Sequence, residues 1–66
     1  MAKYILTKFQ IKRLINGQYV IDGHGRKFFA GKEINELLRM IDENNLYNRF
    51  DVTIEDGKID FVKKCN

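Results

Sequence analysis

Cysteine is nearly missing from this chain. Cys65 stands alone, so no internal disulfide can form. The single histidine, His24, cannot build a Cys/His zinc cluster with it. Serine is missing altogether, and both threonines, Thr7 and Thr53, fall in strand-like runs. His24 therefore has no hydroxyl nucleophile to activate, and Cys65, beside the C-terminus, reads as an inert, exposed thiol. No catalytic residue, cofactor site or metal site is expected, and the chain does not read as an enzyme. Proline is missing too, as are linkers, repeats and low-complexity stretches. No apolar run approaches the roughly 18 residues that a membrane span needs. Lys8, Lys12 and Arg13 interrupt the apolar N-terminal patch, and no small-residue cleavage site follows it, which argues against a signal peptide. With one unpaired thiol, the expected location is cytoplasmic, with no membrane partner.

The 66 residues allow one domain, residues 1–66. A domain of this size buries only about 60% of the surface of its unfolded chain, and small domains usually need a disulfide, a metal or a partner subunit. The first two are excluded, which points to a homodimer. Residues 1–32 carry seven basic residues against Asp22 alone, a net +6, whereas residues 33–66 carry five basic and eight acidic residues, a net −3. The preferred reading is that the two halves complement each other within the fold or across a dimer. An anionic partner is the alternative.

Periodicity places the elements. Phe50, Val52 and Ile54 alternate with Asp51, Thr53 and Glu55, as in a half-buried strand. Asp56-Gly57 suits a two-residue type I′ turn, which sets Glu55 against Lys58, Ile54 against Ile59 and Val52 against Phe61. Val62 then falls on the outer face opposite Asp51, where an apolar residue suggests a second buried surface. Ile34, Leu37, Leu38 and Ile41 follow the i, i+3, i+4, i+7 spacing of one helical stripe, with Gly31 as a weak N-cap and Asn44-Asn45 as the stop. Leu46 and Tyr47 are expected to fold back over the helix end. Near the N-terminus, Ile5, Leu6 and Phe9 oppose Ile11, Leu14 and Ile15 on a helical wheel, so a strand is preferred, with Lys8, Gln10 and Lys12 on its polar face. A bulged turn at Asn16-Gly17 then sets Ile11 against Ile21 and Arg13 against Tyr19. Residues 26–30 read either as a third strand or as an irregular connection. The expected fold class is α+β: two β-hairpins flanking one amphipathic helix packed on an antiparallel sheet.

Each constellation with a chemical look has a plainer reading. Gly23-His24-Gly25-Arg26-Lys27 could hold a phosphate, but it lacks a phosphate-loop motif and reads as a glycine turn. Asp42, Glu43, Asp51, Asp56 and Asp60 read as a solvated face rather than a metal or acid–base site. Lys8, Lys12, Arg13, Arg26 and Lys27, near Tyr4, Phe28 and Phe29, could form a nucleic-acid platform, although no RRM, KH or zinc-finger signature is present. Phe28 and Phe29 are adjacent, so in an extended segment they point to opposite sides and only one can fill the core. Together with Val62 they are the expected dimer-interface residues.

The strand-rich N-terminus with its Asn-Gly turn, the Glu/Leu helix and the closing Asp-Gly hairpin resemble the YopT-like hypothetical proteins of Bacillus prophages, which are unrelated to the protease of that name. The resemblance covers most of the chain and lies in layout and size. It implies a homodimer with one helix and three strands per subunit, and it supplies no functional residues. The leading expectation is a homodimeric accessory protein of a mobile element that binds other molecules, such as a host or phage protein. A weak, sequence-tolerant nucleic-acid binder is the alternative.

Overall fold

The computed structural model describes residues 3–64; Cys65 lies outside them. The chain runs β1 (Tyr4–Ile5), α1 (Lys8–Ile15), β2 (Val20–Ile21), β3 (Lys27–Phe28), α2 (Lys32–Glu43), a 3₁₀ turn (Leu46–Asn48), β4 (Phe50–Glu55) and β5 (Lys58–Lys63). One antiparallel sheet has the order β1-β4-β5, and β2 and β3 form a separate antiparallel ribbon. The class is α+β. Two hairpins flank α2, but the first is β2–β3, and what precedes it is a second helix.

The C-terminal hairpin follows its sequence. Asp56 (φ 51°) and Gly57 (φ 76°) both adopt positive φ, as a type I′ turn demands. The register is Glu55 to Lys58, Ile54 to Ile59, Val52 to Phe61 and Asp51 to Val62. Phe50, Val52, Ile54, Ile59 and Phe61 turn to the core, together with Tyr4 and Leu6 from the N-terminal segment. Ile5 and Val62 are left exposed on the opposite face.

The N-terminal strand expected through residues 5–12 does not form. β1 ends at Ile5, and Thr7 caps a helix instead. The Thr7 hydroxyl accepts from Gln10 N–H at 3.2 Å, and Gln10 Oε1 accepts from Thr7 N–H at 2.8 Å, a complete capping box. The wheel that argued against a helix included Ile5 and Leu6, which precede the cap. Counted from Lys8 onward, Ile11 and Leu14 are buried, Ile15 packs against the core, and Phe9 faces solvent. Asn16-Gly17 is accordingly a helix stop rather than a bulged hairpin turn. Gln18 N–H donates to Arg13 O and Gly17 N–H to Leu14 O, the paired bonds of a Schellman motif, with Gly17 at φ 80°. The pairings of Ile11 with Ile21 and of Arg13 with Tyr19 are thus replaced. β2 pairs with β3, Val20 opposite Phe28 and Ile21 opposite Lys27. Residues 27–28 are therefore strand.

The core consists of Leu6, Ile11, Leu14, Val20, Leu38, Ile41, Val52 and Ile54, drawn from both helices, β2, β4 and the residue after β1. The expected α2 stripe is corrected at one position. Leu38 and Ile41 are buried and Ile34 packs against the core, but Leu37 is 41% exposed. The cause is α1, which packs against α2 on the Asn35 side and turns its buried face away from Leu37. Leu46 and Tyr47 pack against the core beyond the helix end, as expected.

Candidate interaction surfaces

Two surfaces stand out. The first is the free long edge of the main sheet. β5 pairs with β4 on one side only. In a two-residue hairpin the residues beside the turn exchange hydrogen bonds, and the bonded positions then alternate. Glu55–Lys58, Thr53–Asp60 and Asp51–Val62 are therefore the bonded pairs, and Lys64 N–H to Arg49 O at 2.9 Å keeps the same parity. The N–H and C=O groups of Ile59, Phe61 and Lys63 point outward, with no partner among the described residues. Beside this edge, Leu37, Met40, Ile41, Phe50 and Phe61 line an apolar groove of about 130 Å³. Leu37 and Met40 form its exposed wall, and Phe50 and Phe61 are half-buried.

The second surface joins α1 to the outer face of the β2–β3 ribbon. Alternation sends Val20 and Phe28 to the core and leaves Tyr19, Ile21, Lys27 and Phe29 outward. The adjacent phenylalanines thus divide as expected: Phe28 packs against the core and Phe29 is 58% exposed. The Tyr19 and Phe29 rings lie 5.7 Å apart at 57°. Arg13 reaches over from α1, its Nε donating to Tyr19 O at 3.1 Å and its guanidinium carbon 5.8 Å from the Tyr19 ring. Lys27 Nζ lies 4.8 Å from the same ring. Phe9, 69% exposed, lines a shallow groove with Gln10, Arg13, Tyr19 and Ile21.

The five basic residues singled out in the sequence do not form one platform. Only Arg13 and Lys27 converge. Lys12 Nζ sits 3.1 Å from Asp42 Oδ1, and Lys8 Nζ lies 5.1 Å from the Tyr47 ring, both on the α2 side of α1. Arg26 lies in the β2–β3 loop with its Nε 3.5 Å from Asp22. On α1, Lys8 and Lys12 still share a face, being four residues apart, but that face turns toward α2 and Tyr47, while Arg13 turns to the β2–β3 ribbon. Val62 lies on the outer sheet face, away from Phe28 and Phe29 in the fold, so the three expected interface residues belong to three different surroundings. Sequence reasoning missed Phe9, Tyr19, Leu37, Met40 and Phe61. The Thr7-x-x-Gln10 cap would have revealed the first two by fixing the helix.

The Gly23-His24-Gly25 segment is the loop of the β2–β3 hairpin. Asp22 organises it: its Oδ1 accepts from His24 N–H at 2.8 Å and Arg26 N–H at 2.9 Å. The bond from the Arg26 amide, above all, holds the Asp22 carboxyl below the usual carboxylate range. The His24 and Arg26 amides, which a phosphate would need, are thereby taken by an internal carboxylate, and the Gly25 amide donates to Asp22 O. His24 Nε2 lies 2.8 Å from Asp56 Oδ1, linking the tips of the two hairpins. Asp42 is held below its ordinary range by the Tyr47 hydroxyl and then by Lys12, and Tyr47 is pushed up by burial and by its bond to Asp42. Among the described residues, no group of three or more His, Cys, Asp and Glu side chains gathers as a metal site, and no helix is long and apolar enough to cross a membrane.

Comparison with protein families, with curated proteins and with solved structures finds no match to this chain.

Proposed function

We propose that this protein is a homodimeric binding protein whose subunits join along β5. The observation that carries this reading is the free β5 edge running beside the Leu37–Met40–Phe61 groove. A two-fold antiparallel pairing is self-complementary by construction. Centred on Phe61, it uses the outward groups of Phe61 in both subunits and pairs Ile59 with Lys63 of the partner subunit. Centred on Asp60, it would set two carboxylates face to face at the two-fold, whereas the Phe61 register sets like charges, Lys58 and Lys64, opposite each other only at the ends of the ribbon. The Phe61 register extends the sheet to six strands and brings the two apolar grooves together. A core of eight buried apolar side chains among the described residues gains most from such a partner.

The resemblance to the YopT-like prophage proteins implies a homodimer; of the features that carry it, α2 and the closing Asp-Gly hairpin remain, while the strand-rich N-terminus and its Asn-Gly turn are replaced by α1 and its stop. It also suggests an accessory role toward a host or phage protein. A cytoplasmic location belongs to the same reading and rests on the lone cysteine and the interrupted N-terminal apolar run.

Sedimentation velocity at micromolar concentration tests it. The expected species has twice the 7.8 kDa chain mass. Met40→Lys fills the groove wall with charge, and Lys63→Pro removes an outward N–H that β4 does not use. Each is expected to give a monomer with unchanged circular dichroism. A wild-type monomer would mean that Lys58 and Lys63 keep the edge bare, as lysines do on many edge strands, and would overturn the proposal.

A further inference from the structure

We propose that the face formed by Phe9, Arg13, Tyr19, Lys27 and Phe29 binds single-stranded nucleic acid. It is separate from the β5 edge and does not depend on dimerisation.

The face combines flat, exposed rings with fixed cations. Phe9 and Phe29 project from α1 and from the end of β3, and the Tyr19 ring between them holds Arg13 and Lys27 by cation–π contact. Among the described residues, no carboxylate lies within ion-pair distance of Arg13 or Lys27. Asp22, the one acid of the first 32 residues, is buried and turned into its own loop. A patch with two unneutralised cations and no acid calls for an anionic occupant, and its exposed rings call for that occupant to carry apolar faces. Bases on a phosphodiester backbone supply both, since every base can stack on an aromatic side chain. The rings can be reached only by bases that are not stacked in a duplex, which selects the single-stranded form.

An acidic extended peptide is the rival occupant, and the backbone of β2 argues against its pairing on that strand. A peptide joining β2 as a new strand needs that strand's outward carbonyls. Both are already taken: Tyr19 O by Arg13 Nε at 3.1 Å and Ile21 O by the Tyr4 hydroxyl at 2.5 Å. With the β2 edge closed, the rings and cations that flank it are what this face offers a ligand there.

The experiment is fluorescence anisotropy of labelled oligo(U), oligo(dT) and a duplex of equal length, titrated with the full chain over a range of salt. The expected result is micromolar binding to the single strands and at least tenfold weaker binding to the duplex. Two phosphate contacts predict a shallow salt dependence, a log–log slope of about −1.4 for single strands. Phe29→Ala and Lys27→Gln should each weaken binding about tenfold, with Lys27→Gln also lowering the slope by about 0.7. Arg13→Gln should act like Lys27→Gln. Because Arg13 also bonds Tyr19 O, the exposed Lys27 and Phe29 variants carry the test if Arg13→Gln misfolds. Lys8→Gln and Lys12→Gln, on the α2 side of α1, should leave affinity unchanged. No binding at low salt, equal binding to duplex, displacement of the oligonucleotide by an acidic peptide at equal concentration, or loss through Lys8 and Lys12 but not Phe29 would each overturn the proposal.

Discussion

Asn35 on α2 donates its side-chain amide to the Leu14 carbonyl at 3.2 Å and to the Ile15 carbonyl at 3.4 Å, closing the C-terminal end of α1. A helix leaves its last carbonyls without intrahelical partners, and a buried helix end must find others. Here the neighbouring helix supplies one, and the same bond fixes how α2 is rotated. Asn35→Ala should therefore cost about 1 kcal/mol, read as a fall in Tm of about 4–8 °C for a domain of this size. Glu36→Ala, on the exposed side of the same helix, should cost a few tenths at most. Equal effects from the two would show that the Asn35 contact does not join the helices.

The rotation of α2 has its own test. Leu38 is fully buried, whereas Leu37 is 41% exposed. Leu38→Ala should cost about 2–5 kcal/mol, enough to unfold much of so small a domain. Leu37→Ala should cost well under 1 kcal/mol in the monomer and act chiefly on self-association. Chemical denaturation at a concentration too low for association separates the two effects.

Thr7 decides the N-terminal third of the fold. Its hydroxyl and the Gln10 side chain close the capping box, so Thr7→Ala should destabilise by about 1 kcal/mol, whereas Thr7→Ser should be nearly neutral. Circular dichroism during thermal unfolding reads both. If residues 7–12 were extended instead, the two substitutions would behave alike.

What was legible in the sequence, and what was not, follows from the range of the forces involved. The β4–β5 hairpin is written in local chemistry, with two positive-φ residues and an alternation broken only at Val62, and its register formed pair for pair. The existence and limits of α2 are equally local: the helix starts after Gly31 and stops at Asn44. Its rotation is not, because Leu37 and Asn35 are chosen between by α1, a partner whose position lies in the tertiary structure. The N-terminal segment is illegible for a different reason. Thr7 divides the apolar run into a strand residue pair and a helix, and a period taken across that division fits neither. Asn16-Gly17 suits a hairpin turn and a helix stop equally well, so the turn could not correct the error. Of the candidate surfaces, the division of Phe28 and Phe29 was readable from adjacency alone. The Arg13–Tyr19–Lys27 cluster required knowing that α1 is a helix.

Gly57 gives the sharpest test of a turn. At φ 76° with open space around it, any strain in a substitution comes from the backbone alone. Gly57→Val should cost roughly 1 kcal/mol or more, since a β-branched residue resists positive φ. Gly31 also has open space but lacks positive φ, and as N-cap of α2 it makes no side-chain bond. Gly31→Asp should therefore stabilise by a few tenths of a kcal/mol. Opposite signs in Tm are expected for the two variants.

Tyr47 donates its hydroxyl to Asp42 Oδ1 at 2.6 Å, while Lys12 Nζ approaches the same carboxylate. These contacts hold Asp42 below its ordinary range in the folded protein. A depressed carboxyl stabilises the fold above its unfolded pKa of about 3.9 and loses that contribution as pH falls through its folded value. Tyr47 is shifted the other way by burial and by Asp42. Its contribution is present below its unfolded pKa of about 10 and is lost as pH rises through the folded value. The pair should therefore stabilise the protein on a plateau between these limits and on neither side of it. Tyr47→Phe removes the largest cause of the Asp42 depression. The Tm difference between wild type and variant should be greatest near neutral pH and shrink below about pH 4. The variant should still lose stability in acid, because Asp22 keeps its own depressed carboxyl through the Arg26 and His24 amides. A difference that stays constant from neutral to acid pH would show that Tyr47 stabilises by packing alone, with no linkage to Asp42.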